Sequence, residues 1–454
     1  MSEVIRAFIK YVGLNITGML VTAVAIFTDY WFIATAMGTD GLTALSLAVP
    51  IYSILWGLGL LLGVGGGARY AELKAEDKDN SANKMFTITM KMGCIVVTPL
   101  VILGALWGTQ ISVLLGAEDY VISMTASYIR VLLLLSPGII VYNIFESFTR
   151  NDGSPKAAMV SSVIYSIMNI VWDYVFIFIF GWGMFGAALA TTFACLCALC
   201  YLVVYWWQDK VDFRFVKTRV KLNQVVPICI IGGSSFMGEF LYGFVLIAFN
   251  LTLLNLAGNV GVAAFGIVSS IAFIVTYIFF GIGQGIQPLA SYYYGRHDNE
   301  NLKKIMVYAI ITSVTIAVIV IVGMFNFTES ITAILNSEHD PILAELANEG
   351  IRIYFAAFIF AGVTIIAVAF LSVTSAPKVA LTLSILQGGA LVVPFVFILS
   401  WIFGVFGVWL SYPVSEILLV LFSIFFLVKA NKAHGERFES NIESRNDGMV
   451  TTID

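Results

Sequence analysis

The chain has 454 residues, of which 59% are hydrophobic and only 11% charged, where a soluble domain carries about 25% charged residues. So few charges cannot cover that much apolar surface in water, which excludes soluble, disordered and nucleic-acid-binding proteins. The net charge of −4 decides little, because the placement of the charges says more than their sum.

A helix needs about 20 apolar residues to cross ~30 Å of hydrocarbon. Apolar runs of that length predict twelve spans, at 10–37, 42–70, 86–108, 123–148, 158–180, 185–207, 225–252, 261–290, 305–326, 350–374, 380–402 and 407–428. The first ten residues lack a short apolar core with a small-residue cleavage site, so the first span is expected to stay in the mature protein. All of the 24 Lys and Arg except Arg130 and Arg352 lie in or beside the even-numbered loops and the termini. Lys74, Lys78, Lys84, Arg150, Lys156, Arg296, Lys303, Lys304 and Lys378 are among them. The loop at 327–349 carries Glu329, Glu338, Asp340, Glu345 and Glu349 without a basic residue. By the positive-inside rule both termini are cytoplasmic.

Residues 208–224 form the longest basic connection, with Lys210, Arg214, Lys217, Arg219 and Lys221. It reads as a solvated linker resting on an anionic leaflet. The chain thus divides into spans 1–6 (residues 1–207), a linker (208–224), spans 7–12 (225–428) and a polar tail (429–454) expected to be disordered.

The halves repeat each other. Ser154-Pro155-Lys156 returns as Ala376-Pro377-Lys378, a shift of 222, and Ile129-Arg130 as Ile351-Arg352 at the same shift. Gly183-Met184-Phe185-Gly186 returns as Gly404-Val405-Phe406-Gly407 at 221, and the glycine run 63–67 recurs at 281–285. Each half has six spans of the same orientation, so the repeat is parallel, about an axis along the membrane normal. Two such bundles around a central cavity are a transporter architecture.

An acid inside a span costs several kcal/mol and needs a reason. Asp29, Glu146, Asp173, Glu239 and Glu416 lie in spans 1, 4, 5, 7 and 12. Asp29 and Asp173 fall in the outer-leaflet half, and Asn169 shares a helical face with Asp173. Two carboxylates and an amide around a dry cavity suit a proton or Na⁺. At a shift of 221 Asp29 meets Asn250 and Asp173 meets Pro394, so the repeat keeps packing residues and loses both acids. Ion coupling is therefore expected in the N-terminal half. Glu239 gives the second half an acid of its own. Glu416 reads as a hydrogen-bonded packing residue, Arg130 and Arg352 as side chains snorkelling to the outer headgroups, and Glu146 with Arg150 as an inner-surface salt bridge.

Other chemistry finds little support. Cys94, Cys195, Cys197, Cys200 and Cys229 sit in apolar runs as small packing residues, with no His near the 195–200 cluster. His297, His339 and His434 are scattered, so no enzyme constellation forms. The glycine runs follow no strand and precede no Gly-Lys-Ser/Thr, which excludes a nucleotide site.

Along nearly its whole length the chain resembles the multidrug and toxic compound extrusion (MATE) family. The likeness rests on Thr28-Asp29-Tyr30-Trp31-Phe32-Ile33, Arg150-Asn151-Asp152-Gly153-Ser154-Pro155-Lys156, Asn169-Ile170-Val171-Trp172-Asp173 with Phe176-Ile177-Phe178, and Gly183 through Thr191. Arg150-Asn151-Asp152-Gly153 looks most like the branch of the staphylococcal multidrug exporter. The resemblance implies an all-α fold, a V of two six-helix lobes, and a non-enzymatic antiporter that exports lipophilic organic cations for H⁺ or Na⁺ by alternating access. It places Asp29, Asn169, Asp173 and Thr191 on the family's N-lobe cation and proton site, and Glu239 on its span 7 acid. Glu146 stands where an amide is usual and is expected as a third N-lobe ligand. Where members with a C-lobe cation site carry an aspartate, span 10 has only Leu371, Ser372, Val373 and Thr374. Beyond the coupling ion no cofactor, nucleotide or nucleic acid is expected, and Na⁺ at Asp29 and Asp173 is the one metal ion admitted. The working unit is expected to be a monomer in a bacterial cytoplasmic membrane. The alternative reading is a flippase for lipid-linked precursors, or an exporter of an endogenous metabolite, on a related fold. A flippase would need a strongly cationic cavity, for which the spans hold few basic residues.

Overall fold

The computed structural model describes residues 3–118, 121–336, 340–374 and 376–450, apart from the side chains of residues 39 and 429–450. Among the described residues there is no β-strand. The first half comprises α1 (Glu3–Gly38), α2 (Asp40–Ala75), α3 (Asp79–Leu114), α4 (Val121–Leu134 with Ser136–Asn151, bent by 51°), α5 (Pro155–Ile179) and α6 (Gly183–Trp207). The next helical stretch, Leu222–Gly295, has 74 residues, about 110 Å if straight and far beyond one bilayer. Gly258 breaks it into α7 (222–257) and α8 (259–295). Then follow α9 (Asn299–Leu335), α10 (Pro341–Val373), α11 (Pro377–Phe403) and α12 (Val405–Val428).

Among the described residues the twelve apolar runs thus correspond to twelve helices, and the repeat is written into the backbone. Gly38 between α1 and α2 has φ 61° and ψ −147°, and Gly258 between α7 and α8 has φ 65° and ψ −156°. Only glycine adopts that conformation without strain, which permits a sharp turn with no loop. α5 and α11 each loosen into π-helical turns, at Tyr174–Ile179 and Leu386–Ala390.

Each lobe packs its own core, around Phe86, Phe145 and Phe148 in the first half and Phe249, Phe279 and Trp409 in the second. The lobes also exchange helix ends. Val4, Phe8 and Val12 of α1 belong to the second core, and Ile228 of α7 to the first. Glycines let the backbones meet there. A Cβ at Gly65 would stand 2.1 Å from the Ile228 carbonyl oxygen, and one at Gly285 2.8 Å from Val12 Cα. These contacts lie toward the end of the bundle that carries Lys74, Arg150 and Arg296, so the lobes are closed at their basic end.

Two loop expectations need correction. The acidic connection at 327–349 is largely helical, because α9 runs on to Leu335 and α10 begins at Pro341. Asp340 caps α10 by accepting from Ile342 N at 2.8 Å. His339 and Glu338 lie outside the described residues, as do the side chains of the tail expected to be disordered. The basic linker is docked on the first lobe and is not merely solvated. Phe213 is fully buried and Val211 nearly so. The linker backbone is held by side chains, with Arg214 N donating to Asn83 Oδ1 at 2.7 Å and Val216 N to Thr87 Oγ1 at 3.0 Å. Of the alternating Val211, Phe213 and Phe215, the first two turn inward and Phe215 stands exposed at the edge.

Candidate functional site

Asp173 is the last α-helical residue of α5 before its π-helical turns. It is fully buried, and its carboxyl group faces that of the half-buried Asp29 on α1. Among the described residues neither Asp173 oxygen, nor Asp29 Oδ1, receives a hydrogen bond, and Asn169 Nδ2 is likewise buried without a partner. Two carboxylates facing each other in a buried site repel strongly unless a proton or cation sits between them. The pair, with the spare amide one turn below on α5, has the chemistry to hold one.

The structure gathers the other expected residues unevenly. Thr191 is buried on α6 and donates its hydroxyl to the Ala187 carbonyl at 3.2 Å, leaving the oxygen lone pairs free to accept. Glu146, expected as a third ligand, is paired with Arg150 and accepts from Ser162 Oγ at 3.1 Å. This ion pair forms as its spacing implies, but it does not lie at the surface: the side chains are 4% and 10% exposed. α4 is packed between α2, α5 and α6, which shields that turn.

Below the acids is an aromatic cluster that the linear sequence did not reveal. Tyr52 and Trp56 of α2 stack at 5.8 Å, and Trp56 meets Tyr165 of α5 at 5.6 Å, with Tyr142 stacked on Tyr165 at 5.9 Å. Only the Tyr52 and Trp56 spacing of four could have been read from the chain; the rest comes together through helix packing.

Glu239 of α7 is half-buried and lines a cavity of about 160 Å³ in the second lobe, into which Leu60 of α2 also reaches. Tyr242, Tyr354, Gln387 and Tyr412 form part of its wall. Besides Tyr354, α10 offers it only the apolar Ile365, Val368 and Ala369, in keeping with the missing span 10 aspartate. Asn250 is not brought to this cavity. It stands eleven residues beyond Glu239, about 16 Å up the same helix. The two outer arginines also part company: Arg130 donates to Thr109 Oγ1 at 2.8 Å, while Arg352 is 3.8 Å from Glu329. Glu416 makes the inter-helix hydrogen bond expected of it, with Gln387.

Comparison with known proteins gives a consistent picture. The MatE family model matches residues 15–175 and 235–398. The "Multidrug export protein MepA" of Staphylococcus aureus (strain MSSA476) is 28% identical over 424 residues, 92% of each chain. The protein of the same name from Staphylococcus saprophyticus subsp. saprophyticus is 26% identical over 423 residues, again 92% of each. A solved structure described as the outward-facing conformation of a multidrug resistance MATE family transporter of the MOP superfamily superposes with a TM-score of 0.90 at 19% identity. It covers 96% of this chain and 97% of the other.

Proposed function

The chain belongs to the MatE family of transporters, and on that premise we propose that it is a secondary active exporter of lipophilic organic cations, driven by inward movement of H⁺ or Na⁺. The observation that carries this reading is the facing pair of Asp29 and Asp173 carboxyls, with no basic residue beside them among the described residues and three oxygens left without a donor. A charge so placed is tolerable only when a small cation accompanies it.

The cycle runs by alternating access. The end rich in Lys and Arg faces the cytoplasm, so lobes closed at that end are open outward. A proton or Na⁺ from outside occupies the Asp29–Asp173 pair and weakens the hold on cargo, which leaves. After the lobes rock, the ion departs inward and the charged pair again attracts a cation from the cytoplasm or inner leaflet. Coupling requires that the pair bind its ion differently in the two states. Tyr52, Trp56, Tyr142 and Tyr165 supply π faces for lipophilic cations. The single chain, in a bacterial cytoplasmic membrane, is the working unit, because each lobe contains its own acids.

The decisive experiment is efflux of ethidium from proteoliposomes under a pH or a Na⁺ gradient, imposed one at a time. One gradient should drive efflux, and Asp29→Asn and Asp173→Asn should each abolish it. Efflux indifferent to both gradients, or unchanged in both variants, would refute the proposal.

A further inference from the structure

The buried acids of the first lobe are accounted for, whereas Glu416 in α12 is not. It is fully buried, and among the described residues it takes part in none of the ion pairs. Gln387 Nε2 of α11 donates to both of its oxygens, at 3.1 and 3.3 Å, and the Thr364 hydroxyl of α10, which donates to the Phe360 carbonyl at 3.2 Å, lies nearby. The titratable groups that face it are Tyr354 of α10 and Tyr412 of α12. Their rings stack at 4.4 Å and 16°. Among the described residues no lysine, arginine or histidine supplies a counter-charge.

Three of these neighbours, Gln387, Tyr354 and Tyr412, also line the Glu239 cavity. Glu416 therefore lies one layer of side chains behind a space that can take a ligand. The local backbone is unusual as well. Gln387 sits in the π-helical turns of α11, where Gly389 has φ 157°, and such turns often mark functional positions. α5, the equivalent helix of the other lobe, places Asp173 beside its own π-helical turns. In both lobes a buried acid without a basic partner among the described residues adjoins a π break in the fifth helix.

We propose that Glu416 is a second proton-binding group, held as a neutral acid against Gln387, which gives up its proton when a cation enters the Glu239 cavity. The ligand is a proton and not Na⁺. As placed, the amide N–H donates to both oxygens, which repels a metal ion but favours the carboxylate; turned over, the amide offers its oxygen to the acid's O–H and holds the neutral form. A positive charge in the cavity, beside Tyr354, Tyr412 and Gln387, favours the ionised carboxylate, and by linkage the neutral acid weakens cation binding. The linkage rests on the proposed cation-export role, while the protonation itself does not.

Infrared difference spectroscopy on the purified full chain in detergent reads both halves without any transport measurement. The spectrum at neutral pH should contain a protonated-carboxyl stretch that disappears in Glu416→Gln, with thermal unfolding unchanged. Gln387→Met, which removes the donor and keeps the acid, should move that band without abolishing it. Tetramethylammonium, a compact cation suited to this cavity, should diminish the band in the parent chain and release protons into a weakly buffered solution. A Glu416→Gln spectrum identical to that of the parent would overturn the proposal. So would a band that appears only when Na⁺ is removed, which would make Na⁺ the occupant. A Glu416 band that tetramethylammonium leaves untouched would overturn the linkage. Failure of ethidium efflux with the band intact would instead strike the proposed function alone.

Discussion

A Cβ placed on Gly232 of α7 would stand 1.9 Å from the carbonyl oxygen of Leu61 on α2. No side chain can yield there, because the obstacle is backbone. The two lobes meet at the basic end through contacts of this kind, and Gly281 against Ile16 of α1 repeats it, with a Cβ at 2.7 Å from Cα.

Gly232→Ala should therefore act on the closed state more than on either lobe. Overpacking typically costs about 1–3 kcal/mol, which shifts a two-state equilibrium by roughly 5–150-fold. Distances between spin labels on the basic ends of α2 and α8 should lengthen, while the unfolding temperature changes little. Gly238→Ala, with nothing within 4 Å of its Cβ, should leave those distances as they are.

The docked linker yields a second test. Phe213 is fully buried among Phe86, Phe145 and Phe148, whereas Phe215 is 53% exposed. Phe213→Ala should cost about 3–5 kcal/mol and Phe215→Ala markedly less. Limited trypsin digestion would check it: cleavage at Arg214 and Lys217 should accelerate strongly in the first variant and only slightly in the second. Asp152 tightens the same attachment, accepting from Lys74 Nζ at 2.5 Å, from Tyr70 at 2.6 Å and from the Asp212 backbone N–H. Equal digestion of the two variants would mean that the linker is not held by its apolar face.

The architecture was legible because hydropathy, basic-residue placement and an internal shift of about 221 residues all point to twelve spans in two lobes. Each of those signals is one-dimensional. Asp29, Asp173 and Asn169 could be singled out because an acid in hydrocarbon is costly wherever it lies. What the chain concealed was pairing across helices. Alternation in the linker was visible in Val211, Phe213 and Phe215, but no spacing rule told that Phe213 would sit beside Phe86. Glu146 and Arg150 were paired correctly by their spacing of four, yet their burial depends on the packing around α4. Asn250, which meets Asp29 in the repeat, stands away from the Glu239 cavity for a simpler reason. Residues eleven apart in one helix are separated along the axis, and the internal repeat carries no information about distance to another lobe's site.

The Glu146–Arg150 pair leads to a stability prediction with a built-in control. Both side chains are at most 10% exposed, so removing one partner strands a charge. Arg150→Met should cost about 3–5 kcal/mol, since a buried carboxylate is left without compensation. Adding Glu146→Gln should restore most of that loss, because two neutral side chains of similar shape need no counter-charge and Ser162 can still hydrogen-bond position 146. Thermal unfolding of the two variants in detergent would check it. A double variant as unstable as the single one would show that Arg150 matters through its packing.

The same logic, applied to Asp29 and Asp173, separates a shared site from two independent ones. If one proton or Na⁺ is held between the carboxyls, either substitution to Asn removes the whole site. Asp29→Asn and Asp173→Asn should then each lower gradient-driven ethidium efflux by tenfold or more, and the double variant should be no worse than either alone. Independent sites would instead give losses that multiply, since well-separated effects add in free energy. Stability should move in the opposite sense, because an amide in contact with a carboxyl group relieves the repulsion between two acids and donates to one of the oxygens now lacking a donor. Each single variant is therefore expected to unfold at or above the temperature of the parent chain while transporting far less. A variant that lost efflux and fold together would mark these acids as structural, and the ion would have to be carried elsewhere.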